Sequence, residues 1–375
     1  MDAETFMFAD YGNTSLNSSL PDGNRTSNDT GVYVQQPGIN MLIPIVAYCI
    51  MFVVAAAGNV TVLVTLLRVQ RKSRVNLLLL HLTIADLIVT FFMIPMEVMW
   101  RVTNQWRAGN VMCKLFMVIR AFGPYLSSNI LVCITLDRYF VILYPLRISG
   151  AMRRGKMMLA FAWAYSFVCA FPQSIVFKVL QHPADPNFHQ CVTFGAFFTE
   201  TQEMLYNIFC LAVIYFIPLS IIIFSYSCIL YEISNKSREN AEDYKGGKPV
   251  DADKGRIRLR KSDTSTIARA KSRTLKMTIT IVVAFIWCWT PYVVMTLWYM
   301  LDRTSAQNVD KQLQEILFLM AVSNSCVNPL VYGSYALNLK TNCRRFGIPA
   351  FYGNHLRRRS TIEKMFLNPR GSRSM

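Results

Sequence analysis

Residues 115–143 read LFMVIRAFGPYLSSNILVCITLDRYFVIL, an apolar stretch interrupted near its start by Arg120 and near its end by the triplet Asp137-Arg138-Tyr139. A run of about 20 apolar residues crosses a hydrocarbon core as one helix. Ionisable groups inside such a run are costly and therefore informative. Arg120 and Arg138 stand 18 positions apart, which at about 3.6 residues per turn is five whole turns, so both project from one side of the helix. A lipid-facing guanidinium is costly at either depth, so that side must look into a bundle. The alternative for Arg120 is that it snorkels to the outer headgroups.

Six further runs of this kind lie near 41–67, 75–96, 157–177, 204–231, 277–301 and 316–337. The chain is 53% hydrophobic and only 16% charged, too apolar and too unevenly patterned for an ordinary soluble domain. The expected fold is an all-α membrane protein, a seven-transmembrane helix bundle with a short amphipathic eighth helix. Residues 1–40 read as a polar amino-terminal segment, 41–338 as the bundle with its third inner loop at about 235–269, and 339–375 as the amphipathic helix and tail. In that tail, 339–351 alternates basic and apolar groups, which suits a helix lying on membrane lipid.

The net charge of +17 is segregated by loop: 30 of the 39 Lys and Arg fall with 8 acids in the first, second and third inner loops and the tail. The outer segments, with Glu97, hold 7 bases and 12 acids. Positive charge beside spans marks the cytoplasmic side. The expected topology is a multi-pass plasma-membrane protein with an extracellular amino terminus, and nucleic acid is not an expected partner. Four glycosylation sequons, at Asn13, Asn17, Asn24 and Asn28, agree, because acceptors are modified on the lumenal side. The start of the chain lacks a basic n-region and an apolar h-region, so no cleaved signal peptide is expected.

Most of the ten cysteines lie inside spans and read as small apolar residues. Cys113 and Cys191 instead face the oxidising side, where a disulfide persists, and a bridge between them would pin the loop before the fifth span over the mouth of the third. His182 and His189 share that loop, and a surface role suits them better than a metal site. Cys343, among Lys340, Arg344 and Arg345, suits palmitoylation or stays a free thiol. Arg357-Arg358-Arg359-Ser360-Thr361 reads as a kinase site or as a solvated basic tail.

Polar groups inside the other spans fall at three depths. Glu97, near the outer end of the second span, is the natural partner of Arg120, and either residue could instead meet a ligand. On the sixth span Phe285, Trp289, Tyr292 and Tyr299 form one stripe, which is core or ligand floor. Pro291 interrupts the ladder beside it and makes a hinge. At mid-depth Asp86, Ser127, Asn324, Ser325 and Asn328 suit either a hydrogen-bonded water network or a sodium ion held by oxygen ligands. The run Asn328-Pro329-Leu330-Val331-Tyr332 reads as the end of the seventh helix at a second proline break. No acid stands among Arg269, Lys271 and Arg273 at the inner start of the sixth span to hold Arg138, so its restraint is expected from Asp137 and apolar packing.

These pieces resemble the class A (rhodopsin-like) G-protein-coupled receptors. The carrying motifs are Gly58-Asn59-Val60, Leu82 to Asp86, Asp137-Arg138-Tyr139, Trp163, Pro218 with Tyr226, Cys288-Trp289-Thr290-Pro291 and Asn328 to Tyr332. The resemblance implies a receptor, not an enzyme, in which an outward swing of the sixth helix frees Arg138 for a heterotrimeric G protein. Asp137, Arg138, Tyr139, Tyr226, Asn328, Pro329 and Tyr332 would form that switch, with arrestin and receptor kinases as further partners. An arginine at 120 where amine receptors carry an aspartate disfavours a cationic amine, and no lysine between Lys311 and Lys340 is available for a retinal Schiff base.

Further strings are similar to the gonadotropin-releasing-hormone receptor superfamily, above all its arthropod receptors for adipokinetic hormone, adipokinetic/corazonin-related peptide and corazonin. They are Phe171-Pro172-Gln173, Ile175-Val176-Phe177, Gln190-Cys191-Val192-Thr193-Phe194, Tyr206-Asn207-Ile208-Phe209, Trp289-Thr290-Pro291-Tyr292 and Trp298-Tyr299. Asp86 and Asn328 keep the usual class A arrangement and a tail is present, which favours the invertebrate branch over the mammalian hormone receptor. The resemblance implies a short peptide with pyroglutamate at one end and an amide at the other. Its ligand residues would be Glu97, Arg120, Gln173, Asn207, Trp289, Tyr292 and Tyr299, and signalling would run through Gq and calcium, with Gs and cyclic AMP as a second route. A non-peptide receptor or a transporter is the weaker reading, since no repeated halves are visible.

Overall fold

The computed structural model describes residues 39–69, 73–144, 150–182, 185–246 and 254–335 of the chain. The sequons at Asn13, Asn17, Asn24 and Asn28, the tail with Cys343 and the 339–351 helix lie outside the described residues. The long helices are α1 (Ile39–Arg68), α2 (Arg74–Thr103), α3 (Gly109–Leu143), α4 (Ala151–Ala170), α5 (Glu200–Leu211 running on to Ile217–Gly246), α6 (Lys254–Leu301) and α7 (Lys311–Tyr335). Among the described residues, six helices are long and apolar enough to cross a membrane. We call the end of the bundle that bears the Cys113–Cys191 disulfide the outer mouth and the end that bears Asp137 the inner mouth.

Local chemistry sets several helix ends. Ser73 caps α2 by accepting from Asn76 N at 3.2 Å, and Thr199 caps α5 by accepting from Gln202 N at 3.3 Å, with Glu200 and Glu203 in its first turn. Asn104 takes the left-handed conformation, φ 51°, that closes α2. Two π turns, Val89–Met93 in α2 and Ala212–Phe216 in α5, lie immediately before Pro95 and Pro218. A proline ring clashes with the carbonyl four residues back and cannot donate to it. One wider turn shifts the ladder to five-residue bonds, Ile94 N to Val89 O and Ile217 N to Ala212 O, and lets each helix continue.

The main core packs Leu79, Leu82, Leu126, Ile130, Ile134 and Phe285 between the helices, while Trp287, Phe161 and Val53 point outward at 73%, 69% and 65% exposure. An apolar exterior around a polar-lined interior is the arrangement a bilayer demands. At Gly58 an added Cβ would come within 2.8 Å of Pro329 Cγ, so α1 approaches α7 closely there. That contact lets Asn59 Nδ2 reach the Ser325 carbonyl at 2.9 Å.

α7 carries Pro329 inside and runs on to Tyr335, because a bundle can satisfy the backbone groups a proline frees. Helix extends into the third inner loop from both sides, since α5 reaches Gly246 and α6 starts at Lys254, and 247–253 lies outside the described residues.

Over the outer mouth, strands β1 (Lys178–His182) and β2 (Asp185–Val192) form an antiparallel hairpin. The Cys113–Cys191 disulfide, with Cα atoms 5.7 Å apart, ties it to the top of α3. Gln190 holds it from the other side, accepting from Trp100 Nε1 at 2.7 Å and donating to Asn104 O at 3.1 Å. His189 is part of this seat through its carbonyl, which accepts from Trp106 N at 2.8 Å.

Candidate functional site

A cavity of about 1060 Å³, including the part open to solvent, lies between α3, α5, α6 and α7 under the hairpin. Arg120, Gln173, Asn207, Trp289 and Tyr292 line it, five of the seven ligand candidates. Proline and helical phase bring them together: Trp289 and Tyr292 bracket Pro291 on α6, and Gln173 opens a single turn, Gln173–Val176, just beyond α4. The rings form a continuous floor, with Phe285–Trp289, Trp289–Tyr292 and Tyr292–Phe318 centroids 6.3, 6.1 and 5.8 Å apart.

The other two ligand candidates sit behind the wall. Tyr299 is buried against Arg303, whose guanidinium lies 4.9 Å from the ring centroid, and does not line the cavity. Glu97 is fully buried and reaches the cavity only through Arg120, whose Nε donates to Glu97 Oε1 at 2.6 Å. The Arg120 guanidinium also lies 5.0 Å from the Phe318 ring centroid. It does not snorkel: at 6% exposure it points into the bundle, as the five-turn phase with Arg138 requires.

Glu97 has a second partner that does not stand out in the sequence. Arg101, one turn further along α2, donates to Glu97 Oε2 and then to Glu315 Oε2 of α7 at 3.0 Å, with its guanidinium 4.8 Å from the Tyr48 ring centroid. The i,i+4 spacing of Glu97 and Arg101 is a usable signal for the first of these contacts. Nothing local marks Glu315.

At mid-depth Asp86 Oδ2 accepts from Asn328 Nδ2 at 3.0 Å and Oδ1 from Ser127 Oγ at 3.3 Å. Asn324 lines the cavity floor, and its Oδ1 lacks a hydrogen-bond partner among the described residues. Asp86, Ser127, Ser325 and Asn324 Oδ1 thus supply oxygen atoms that suit sodium or water. Asn328 turns its nitrogen to the carboxylate. Just above, Tyr215 of α5 and Thr290 of α6 share a 2.6 Å hydrogen bond beside Pro291. Tyr215 does not stand out in the sequence, because the bond depends on the phase set by the α5 π turn.

At the inner mouth Asp137 is 1% exposed and holds two arginines: Arg138, its neighbour, on Oδ2 and Arg74, from the start of α2, on Oδ1 at 3.0 Å. Tyr139 points away from this pair, its ring 5.4 Å from that of Phe140 and 6.4 Å from that of Phe224. Tyr226 packs against the core, whereas the side chain of Tyr332 lies outside the described residues. In the sequence Arg74 is only one more inner-loop base.

The family model described as 7 transmembrane receptor (rhodopsin family) matches residues 58–332. The chain is 33% identical over 304 residues to the gonadotropin-releasing hormone II receptor of Clarias gariepinus, covering 80% of this chain and 77% of that one. To the receptor of that name from Chlorocebus aethiops it is 34% identical, covering 79% and 75%. To the gonadotropin-releasing hormone receptor of Sus scrofa it is 31% identical, covering 76% and 87%.

Proposed function

The chain belongs to the rhodopsin family of seven-transmembrane receptors, and on that premise we propose that it is a plasma-membrane receptor for a short amidated peptide hormone of the adipokinetic type. It signals through heterotrimeric G proteins, Gq with calcium first and Gs with cyclic AMP second. The observation that carries this reading is the lining of the cavity, in which the guanidinium of Arg120 and the carboxamides of Gln173 and Asn207 stand around an aromatic floor of Trp289, Tyr292 and Phe318. A peptide blocked at both ends has no terminal charge, so it must be held by hydrogen bonds to its carbonyls and amides and by packing of its aromatic side chains. Arg120 supplies several donors in a rigid plane, the two carboxamides donate and accept, and the rings supply stacking surface.

Movement follows from where the floor stands. Trp289 and Tyr292 flank Pro291, and the Tyr215–Thr290 bond ties that hinge to α5. A ligand that packs on the floor displaces the outer half of α6, and its inner half swings away from α3 and exposes Arg138. Arrestin and receptor kinases act later, at the inner surface and tail.

The test is calcium and cyclic AMP recording from cells expressing the chain, challenged in turn with adipokinetic, adipokinetic/corazonin-related and corazonin peptides. A calcium response most sensitive to the adipokinetic peptide is expected. A response led by one of the others reassigns the ligand, and silence to all three at proven surface expression removes the peptide reading.

A further inference from the structure

We propose that Glu203, at the rim of the cavity, takes the terminal carboxamide of the ligand, and that Arg303 tempers the charge of the Glu203 carboxylate until the ligand arrives. The subsite favours a primary amide and rejects the corresponding free acid. It rests on the peptide reading above and is the part of the cavity that reads the blocked end.

Glu203 lines the cavity from the first turn of α5. Along that helix the lining continues inward through Asn207, Leu211 and Ile214, at spacings that keep all four residues on one face. At about 1.5 Å per residue Glu203 stands about 12 Å further out than Leu211, at the entrance. Its backbone is fixed there, because Thr199 Oγ1 accepts from Gln202 N at 3.3 Å and Gln202 Oε1 accepts from Phe198 N at 2.9 Å. The positive end of the helix favours the ionised carboxylate.

Arg303, just past the end of α6, faces Glu203 with Nη1 3.8 Å from Oε2. That is too long for a hydrogen bond, so attraction between charges joins the two. Their side chains are 43% and 23% exposed, and an exposed pair of this kind is weak. The Arg303 guanidinium is seated on the Tyr299 ring, 4.9 Å from its centroid, and does not line the cavity. A ligand donor can therefore engage the carboxylate at little cost.

A peptide blocked at both ends carries one group that matches. Its terminal amide nitrogen bears two N–H donors, whereas a pyroglutamyl ring nitrogen bears one, and a carboxylate offers two acceptor oxygens. Hydrogen bonds to an ionised acceptor are the stronger kind. Glu203 is the one acid among the described lining residues. A free acid in place of the amide brings two carboxylates together at the rim, and like charges repel at that range.

The experiment compares whichever peptide activates the wild type with the same peptide ending in the free acid, and reads the ratio of their potencies in calcium recording. The wild type is expected to prefer the amide. Glu203→Gln is expected to narrow the ratio on the order of tenfold, by weakening the amide and strengthening the acid. Glu203→Asp keeps the charge and is expected to keep the preference. Arg303→Gln removes the counter-charge and is expected to widen the ratio a few-fold, which loss of a merely structural contact would not do. The proposal is overturned by a wild type indifferent to the terminus or by a ratio that Glu203→Gln leaves alone. It is overturned equally by a ratio that Glu203→Asp narrows as far as Glu203→Gln, or that Arg303→Gln leaves alone or narrows. If either glutamine variant does not reach the surface, competition binding of the two peptides to wild-type membranes decides. Raising the salt from low to physiological strength must then narrow the ratio, because it screens a partly exposed charge, and a constant ratio overturns the proposal. Silence of the wild type to every peptide removes the reading beneath the proposal, whereas a responsive wild type with unmoved ratios removes the proposal alone.

Discussion

The two mouths of the bundle use the same motif to different ends. At the outer mouth Glu97 holds Arg120 and Arg101; at the inner mouth Asp137 holds Arg138 and Arg74. Each is one buried carboxylate between two guanidiniums, and each ties α3 to α2. The outer group has a second acid, Glu315. The inner group has none among the described residues, carries one surplus positive charge, and leaves Arg138 Nε without a hydrogen-bond partner there. A group with a donor to spare is poised to accept another partner, and the carbonyl-rich end of a helix offers suitable acceptors.

The comparison can be broken at four places. Removing the shared outer acid, Glu97→Ala, leaves two buried guanidiniums facing each other and should cost about 3–5 kcal/mol of stability, read as loss of surface receptor and a lower melting temperature in detergent. Arg120→Ala should spare the fold better, since Glu97 keeps Arg101, yet reduce peptide potency by at least about 100-fold, as loss of a central hot spot does; retained potency in calcium recording would remove Arg120 from the pocket. At the inner mouth Arg74→Ala hands both Asp137 oxygens to Arg138, so basal inositol phosphate should fall a few-fold, while Asp137→Asn should raise it. Basal signal already at the untransfected level would contradict a group held only by Asp137. Smallest is Tyr215→Phe, which deletes the 2.6 Å bond to Thr290; loss of about 1 kcal/mol should shift the potency curve by a few-fold without changing surface expression.

The bundle was legible because its signals are strong and repeated: seven long apolar runs, basic loops on one side, and prolines at matching positions. The inward turn of Arg120 and Arg138 was legible from helical period alone. What lay between helices was less so. Glu97 with Arg120 was readable because two opposite charges near the outer mouth can hardly avoid each other in a bilayer. Arg101 was hidden among outer-loop bases and Glu315 among outer-loop acids, since neither side chain announces which helix it will meet. Tyr299 looked like part of the ligand stripe, but it lies beyond the cavity against Arg303, because a stripe shows one face of a helix and not how far along it the cavity extends.

Sequence alone determined the helices, their order, the side of α3 that looks inward and the disulfide that seats the hairpin, for each follows from local periodicity, the cost of charge in hydrocarbon or the chemistry of the compartment. Tertiary structure alone decided which acids each arginine meets, that Glu97 stands behind Arg120 rather than on the cavity wall, and that a second acid, Glu315, joins the outer group. The reason is geometric: partners from α2, α3 and α7 are separated in the chain by up to 214 positions, and the two π turns rotate α2 and α5 by amounts that no periodic reading of an ideal helix contains.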